Sequence, residues 1–476
     1  MVGWTAFGSC FLSFWGFVNA DGIIVQEGSS SRDLTGGVVV ASGFPIVAGS
    51  TSGNFPGMTN SNYDGVVVKY NDDGTQAAIK TISTSGNDDI FASTIDDSDN
   101  VYVTGYTGGD LAGSQGTDDV FVAKLDSSLT QAWVAQDGTG SYERGHAVAV
   151  DSAGRVIVGG YTSGTFTDQT SSGADDCFII QFSSTGSREW VIQFGSSGSD
   201  YLNGLAVDTV GSVDDIYGAG YGYDGFEGQS SSGSADIFLI KVNSTGTKTW
   251  TILAGGSSAD YGTGAVVDSQ SNVYVSGYTE GVLPGATSLG SADGFLMKYD
   301  KDGVQLWSIQ FGSKGKDNAN GLQSDSNDML YPALQTSGSM AGSNGGNDIV
   351  VMQVDSTGSV LWTEQFGTSG NDEIINARGS PVAVDSTGNL FIAGMTYGAF
   401  SGYSNQAGGS STDWFLYKVN ASSLPTTSSS TTSSTSSSAS TSMTATLTTS
   451  SSTASDTTTL STTSTVSSSS TGTMTS

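Results

Sequence analysis

Short apolar runs, each bounded by Gly, Ser, Thr or Asp, recur along the chain between residues 21 and 420. Runs of this length, rich in Val, Ile, Phe and Tyr and separated by turn residues, predict β-strands rather than helices. Seven of them align without gaps: YDGVVVKY, DDVFVAKL, DDCFIIQF, ADIFLIKV, ADGFLMKY, NDIVVMQV and TDWFLYKV. Each places an Asp five residues before Lys or Gln, and these are Asp64, Asp119, Asp176, Asp236, Asp293, Asp348 and Asp413. The intervals are 55, 57, 60, 57, 55 and 65 residues, so the chain is a tandem repeat.

The rest of the unit repeats as well. Nine residues past the Lys or Gln stand Trp133, Trp190, Trp250, Trp307 and Trp362, with Ala78 in the first copy. Five further on come Gly138, Gly195, Gly255, Gly312 and Gly367, and then turns such as DSDNVYV and DSAGRVIV. Each unit closes near a Gly-Tyr-Thr strand end, for which the sixth copy has Leu334. A unit therefore holds four short strands, apolar on both faces, as a sheet covered on both sides requires. The predicted fold is all-β: a seven-bladed propeller of four-stranded blades. Its last blade is expected to combine one C-terminal strand (412–420) with three N-terminal strands, closing the ring without a free edge. In that alignment Gly28 takes the Gly position and Ile23 the Trp position.

In the motifs GTSGND, VDSTGNLFIAG and DIVVMQVDSTG the units resemble the SBBP (seven-bladed β-propeller) repeat, over nearly all of 21–420. The resemblance implies a secreted or surface-associated propeller and brings no catalytic residues with it.

Outside the repeats, residues 1–20 read as a signal peptide: an apolar core at 11–18 followed by the small-residue pattern Val18-Asn19-Ala20. A buried first strand is the alternative. No other segment is long and apolar enough to cross a membrane, so the mature chain is expected to have no span. Cys10 would leave with the signal, and Cys177, in a strand, is then an unpaired core residue. From 421 to 476 the chain is almost wholly Ser, Thr, Ala and Gly, a composition that forms no core and suits an O-glycosylated stalk. Asn243 and Asn420 lie in Asn-x-Ser/Thr sequons. The formal net charge of −31 repels nucleic-acid backbones and leaves cations, neutral sugars or proteins as partners. A monomer is expected.

Two recurring sets of carboxylates fall on the face with the longer loops. One is the strand-opening set Asp64 to Asp413. The other lies five residues past the Gly position: Asp33, Asp88, Glu143, Asp200, Asp260, Asp317 and Asp372. Read functionally, the second set rings a binding mouth and would suit calcium, which prefers several hard oxygen ligands. Read structurally, each Asp accepts hydrogen bonds from its own turn, once per blade. Repetition in every blade favours the structural reading, because a ligand site breaks symmetry. The turns 71–74 and 300–303 lack a full calcium-loop ladder, and the lone His146 has no nucleophile partner. NSTGTKTW departs from the sialidase Asp box by one residue of spacing. Five scattered Arg residues (Arg32, Arg144, Arg155, Arg188 and Arg378) do not make a carboxylate clamp. The expectation is a non-enzymatic extracellular binding or adhesion module for a glycan or protein. The alternatives are a carbohydrate-active hydrolase or lyase using loop-face carboxylates, and a structural wall or matrix protein. The places to look for broken symmetry are the insertion between Asp372 and Asp385, the stretch 210–215 and Leu334.

Overall fold

Alternating apolar runs and tight turns build seven antiparallel sheets in the computed structural model, which describes residues 22–424 apart from 59–61, 211–213, 375–379, 407 and 409–410. Residues 1–21, which include the expected signal peptide, and the tail from 425 onward lie outside the described residues. Blades 1 to 6 occupy 33–82, 88–137, 143–194, 200–254, 260–311 and 317–366. In blade 3 the order from the axis outward is Glu143–Val150, Val156–Thr162, Asp176–Phe182 and Arg188–Phe194.

The hairpin turns explain why the DSxG pattern recurs. Asp151 Oδ1 accepts the amides of Ala153 (2.9 Å) and Arg155 (2.8 Å), and Gly154 supplies the positive φ of 73° that closes the turn. The inner strand of each of blades 1 to 6 carries a bulge near its middle, at Gly145/Ala147 in blade 3, which bends it around the axis.

The core lies between blades. Trp133, Trp190, Trp250 and Trp307 each leave the outer strand of one blade and cover the Gly turn of the next: Trp133 Nε1 donates to Ser184 O at 3.0 Å, and Trp190 Nε1 to Ser244 O at 3.3 Å. A Cβ on Gly186 would stand 2.9 Å from the Trp133 ring, so that turn admits no side chain. The Lys of the Asp-x4-Lys pattern also reaches across, with Lys69 Nζ on Ser127 O (2.7 Å) and Lys241 Nζ on Lys301 O (3.1 Å). Truncating one of these Trp residues to Ala is expected to cost ~3–5 kcal/mol.

Both termini close the ring, as the repeat count requires, but the strands divide differently from the expectation. Blade 7 takes three elements from the C-terminal side, namely Asp372–Glu373 with Val382–Val384, Leu390–Thr396 and Asp413–Val419. Only Ile23–Glu27 comes from the N-terminus, paired with Asp413–Val419. The other two N-terminal strands, Asp33–Ala41 and Phe44–Thr51, open blade 1. The reason is one of phase. The short Gly-containing connection after the Trp strand leads to the next blade, whereas the long loop such as 108–118 stays within one. A repeat fixes the period of the sheets but not the point at which each is cut. The closing strand is bound on both sides: Glu27 accepts from Tyr70 Oη (2.8 Å) and Gln76 Nε2 (2.8 Å), and Trp414 Nε1 donates to Tyr70 Oη (3.0 Å).

Candidate functional site

Strand direction puts both acidic sets at one end of the blades, since each begins an outbound strand: Asp33 and Asp64 both pair with Thr51. The inner set does not line an open mouth. Asp33, Asp88, Glu143, Asp200, Asp260, Asp317 and Asp372 are all fully buried. Each accepts the amide of the residue four before it: Ser29 to Asp33 (2.6 Å), Thr84 to Asp88 (2.5 Å), Thr139 to Glu143 (2.6 Å) and Ser196 to Asp200 (2.5 Å). The same bond joins Gly256 to Asp260 (2.7 Å), Ser313 to Asp317 (2.6 Å) and Thr368 to Asp372 (2.6 Å). The Gly-Tyr-Thr motif supplies a further donor, as Thr162 Oγ1 to Glu143 (2.6 Å) shows. For Asp33, Glu143, Asp200, Asp260 and Asp372 burial is the largest influence on the carboxyl. It pushes Asp33, Asp200 and Asp372 up to about 6 against the hydrogen bonds that favour ionisation, and it raises Glu143 and Asp260.

The outer set, Asp64, Asp119, Asp176, Asp236, Asp293, Asp348 and Asp413, is buried too. Here the sequence holds a signal that its repeats conceal. Three residues after the Trp position stands a Gln in five blades: Gln26, Gln136, Gln193, Gln310 and Gln365. Gln193 Nε2 donates to Asp176 (2.8 Å) and Gly164 O (3.0 Å), while its Oε1 accepts the Phe166 amide (3.0 Å). Gln136, Gln310 and Gln365 repeat the bond to Asp119, Asp293 and Asp348 at 2.8 Å, and Gln26 bonds Asp413 at 3.1 Å. Blades 1 and 4 have Thr81 and Leu253 there instead. The Gln thereby ties the long loop to the sheet edge. Between the outer acid of one blade and the inner acid of the next lies the recurrent Gly: a Cβ on Gly195 would stand 2.6 Å from both Asp176 Oδ1 and Asp200 Oδ2. The recurrence of Gly at that place, with Ser83 the one departure, has a steric cause.

Carboxylates turned inward onto amides, two to a blade, do not fit the six to eight oxygens calcium takes. Among the described residues no three His, Cys, Asp or Glu side chains converge as a metal site would need. In the turns at 71–74 and 300–303, Asp73 and Asp300 each accept the amide two residues on (3.0 Å in both), as in plain hairpins. His146 is buried, its Nδ1 3.1 Å from Asn203 Oδ1. Cys177 is a free, buried core residue. Trp250 packs on Tyr217 (5.9 Å), Trp307 donates to Ser356 O (3.2 Å), and Trp362 lies against the core of blades 6 and 7. Asn243 opens the outer turn of blade 4, accepting from Thr245 N (3.0 Å), and Asn420 is exposed just past the last strand. Leu334 is a packing departure, fully buried against blade 5. Of the stretch 210–215, the described Asp214 and Asp215 bond Ser152 (2.8 Å) and Lys241 (2.8 Å) at the opposite end of the blades.

The symmetry breaks elsewhere, at the rim of the loop face in blades 3 to 5. One residue past the inner acid, blades 4 and 5 carry Tyr201 and Tyr261, where the other blades have Leu34, Asp89, Arg144, Asn318 and Glu373. Each stands beside the Tyr of its neighbouring strand, Tyr201 with Tyr221 and Tyr261 with Tyr278. Ring centroids run in an unbroken series across three blades: Tyr161–Tyr201 4.9 Å, Tyr201–Tyr221 5.2 Å, Tyr221–Tyr261 4.8 Å and Tyr261–Tyr278 4.7 Å. Tyr223, from the adjoining loop, adds to it at 5.9 Å from Tyr221. All six rings are half-buried. Arg144 covers Tyr106 (4.5 Å) at one end and is held by Asp118 (2.9 Å), while Lys316 lies over Tyr278 (5.9 Å) at the other. Tyr201 Oη donates to Asp175 Oδ2 at 3.0 Å. In blade 6 the corresponding places are Asn318 and Gln335, so the strip stops there.

Residues 249–284 match the family model of the SBBP beta-propeller repeat, which bears out the resemblance seen in the repeated motifs. The regulatory protein FlaEY of Caulobacter vibrioides is 28% identical over 203 residues, or 39% of this chain and 21% of its own length. The match thus spans about a fifth of that relative. Among solved structures, BBS1N in complex with ARL6DN shares 11% identity at a TM-score of 0.42, covering 86% of this chain and 95% of its own. Puromycin hydrolase shares 9% at 0.37, covering 78% and 53%. Likeness at that level bears on neither ligand nor reaction.

Proposed function

We propose that this SBBP-repeat propeller is a non-enzymatic binding module, secreted and displayed outside the cell on its Ser/Thr-rich tail, that takes its ligand on the loop face of blades 3 to 5. The observation that carries the reading is the tyrosine strip, a departure from sevenfold repetition on that face. Loops and rims on a rigid scaffold are where propellers of this kind can bind without moving. The rival, hydrolysis by paired carboxylates, is less well supported. The acids of each blade are buried, face a Gly rather than a cleft, and repeat in every blade. A hydrolase needs an exposed pair set apart from its copies.

The test is a binding screen against glycans and surface proteins, run beside turnover assays on polysaccharides. Saturable binding lost in the double variant Tyr201→Ala/Tyr261→Ala, with no turnover, is expected. Turnover abolished by Asp200→Asn, or binding indifferent to the tyrosines, would overturn the proposal.

A further inference from the structure

We infer that the tyrosine strip is a site for a neutral oligosaccharide several pyranose rings long; this rests on the binding-module reading and names its ligand. The shape argues for an extended ligand. Five rings follow one another at steps of 4.7 to 5.2 Å across three blades, so they offer a line of contacts rather than a box around a point. A box is what a quaternary ammonium group needs, because cation–π attraction gains from rings on several sides of one charge. A line suits a chain of flat units, each with an apolar ring face to lay on an aromatic and hydroxyls at its edge.

The edge chemistry fits the same class. Tyrosine joins an apolar ring to a polar tip, and half-buried rings with hydroxyls at the rim suit a ligand that is apolar on its face and polar at its border. Asp118 and Asp175 flank the strip partly exposed, and Glu280 stands exposed beside Tyr278, giving acceptors for sugar hydroxyls. Charge then selects against acidic sugars. Arg144 is neutralised by Asp118 at 2.9 Å, Lys316 is the single further cation touching the strip among the described contacts, and the chain as a whole carries −31. A uronate or sulfate chain would meet the carboxylates of Asp175 and Glu280 at the rim, and repulsion near a surface is felt over several ångströms. Neutral hexose or pentose chains meet no such penalty.

The experiment uses the full chain and titrates it with gluco-, manno-, xylo- and galacto-oligosaccharides of one to four rings, a tri-uronate, choline and a short cationic peptide. Calorimetry is the readout. The expected result is affinity for at least one neutral series that rises with each added ring up to three. The tri-uronate should bind at least tenfold more weakly. Tyr201→Ala and Tyr261→Ala should each cost at least tenfold, with the far-UV circular dichroism of the sheets and a cooperative melt retained. Leu306→Ala, on an exposed outer-strand position of blade 5, should change nothing. If no neutral series binds at millimolar concentration, the inference falls. Should choline or the peptide bind instead and be lost with the tyrosines, the sugar assignment fails while the binding module stands. If binding survives both tyrosine variants, or oligosaccharides are cleaved, the module reading fails with it.

Discussion

Buried acids make the stability of this protein depend on pH in an unusual sense. Asp33, Asp200 and Asp372 have folded-state pKa values of about 6, against 3.8 for an unburied Asp. A carboxyl whose pKa rises on folding holds its proton more tightly in the native state. Between pH 4 and 6 the unfolded chain has ionised while the folded one has not, so stability falls as pH rises through that window and levels off above it. A shift of about two units corresponds to at most ~3 kcal/mol per group, and about half that once residual solvent at the blade edge is allowed for. Three such groups should therefore remove several kcal/mol between pH 4.5 and 6.5. In acids such as Asp96, Asp268, Asp355 and Asp385 burial is outweighed by hydrogen bonds, mostly from their own turns, that hold the carboxyl below its ordinary value, and their contribution is lost only as pH drops below 4. Maximum stability is thus expected near pH 4 to 5. The perturbation is Asp200→Asn. Its amide can keep the Ser196 contacts, with oxygen on the Ser196 amide and nitrogen toward Ser196 Oγ, while removing the charge beside Asp176. Urea midpoints should fall from pH 4.5 through 5.5 to 6.5 and level off by 7.5 for the native chain, and fall less steeply for the variant. A native midpoint that is flat or rises toward pH 7.5, or a variant with the native slope, would refute the reasoning.

Three further outcomes follow from the same geometry. Gly195→Ala, which drives a methyl group onto two buried carboxylates, should cost ~1–3 kcal/mol in denaturant unfolding, whereas Gly140→Ala, with nothing within 4 Å, should stay within about 0.5 kcal/mol. Trp190→Ala should lower stability by ~3–5 kcal/mol and speed proteolysis at the turn 243–247 that the ring covers. Gln26→Ala removes bonds to Asp413 and to the Phe400 amide across the closure. It should cost ~1–3 kcal/mol and raise hydrogen exchange in 23–27 and 413–419 before other blades.

The period of the fold was plain because Asp, Trp and Gly each recur at fixed offsets for steric reasons visible in sequence. Its phase was not. Ile23, Gly28 and Asp33 align with the later copies wherever the sheet is cut, and only the pairing of Ile23–Glu27 with Asp413–Val419 decides the matter. The structural reading of the acidic rings was available from their repetition, and the amide bonds in every blade give it substance. The Gln at three residues past each Trp was equally regular, yet a lone polar residue on an outer strand looks like surface until its loop partners are known. The tyrosine strip was legible least. Tyr161, Tyr221 and Tyr278 belong to the repeat, while Tyr201 and Tyr261 depart from it, and only the side-by-side register of two strands and the stacking of three blades turns them into one surface.

Hydroxyl-radical footprinting of the full chain with the tightest ligand from the binding screen tests that surface most directly. Protection confined to Tyr161, Tyr201, Tyr221, Tyr223, Tyr261 and Tyr278, with Tyr70, Tyr331 and Tyr403 unchanged, is the predicted pattern. Protection spread evenly over the blades, or found at the turns on the opposite end, would contradict it.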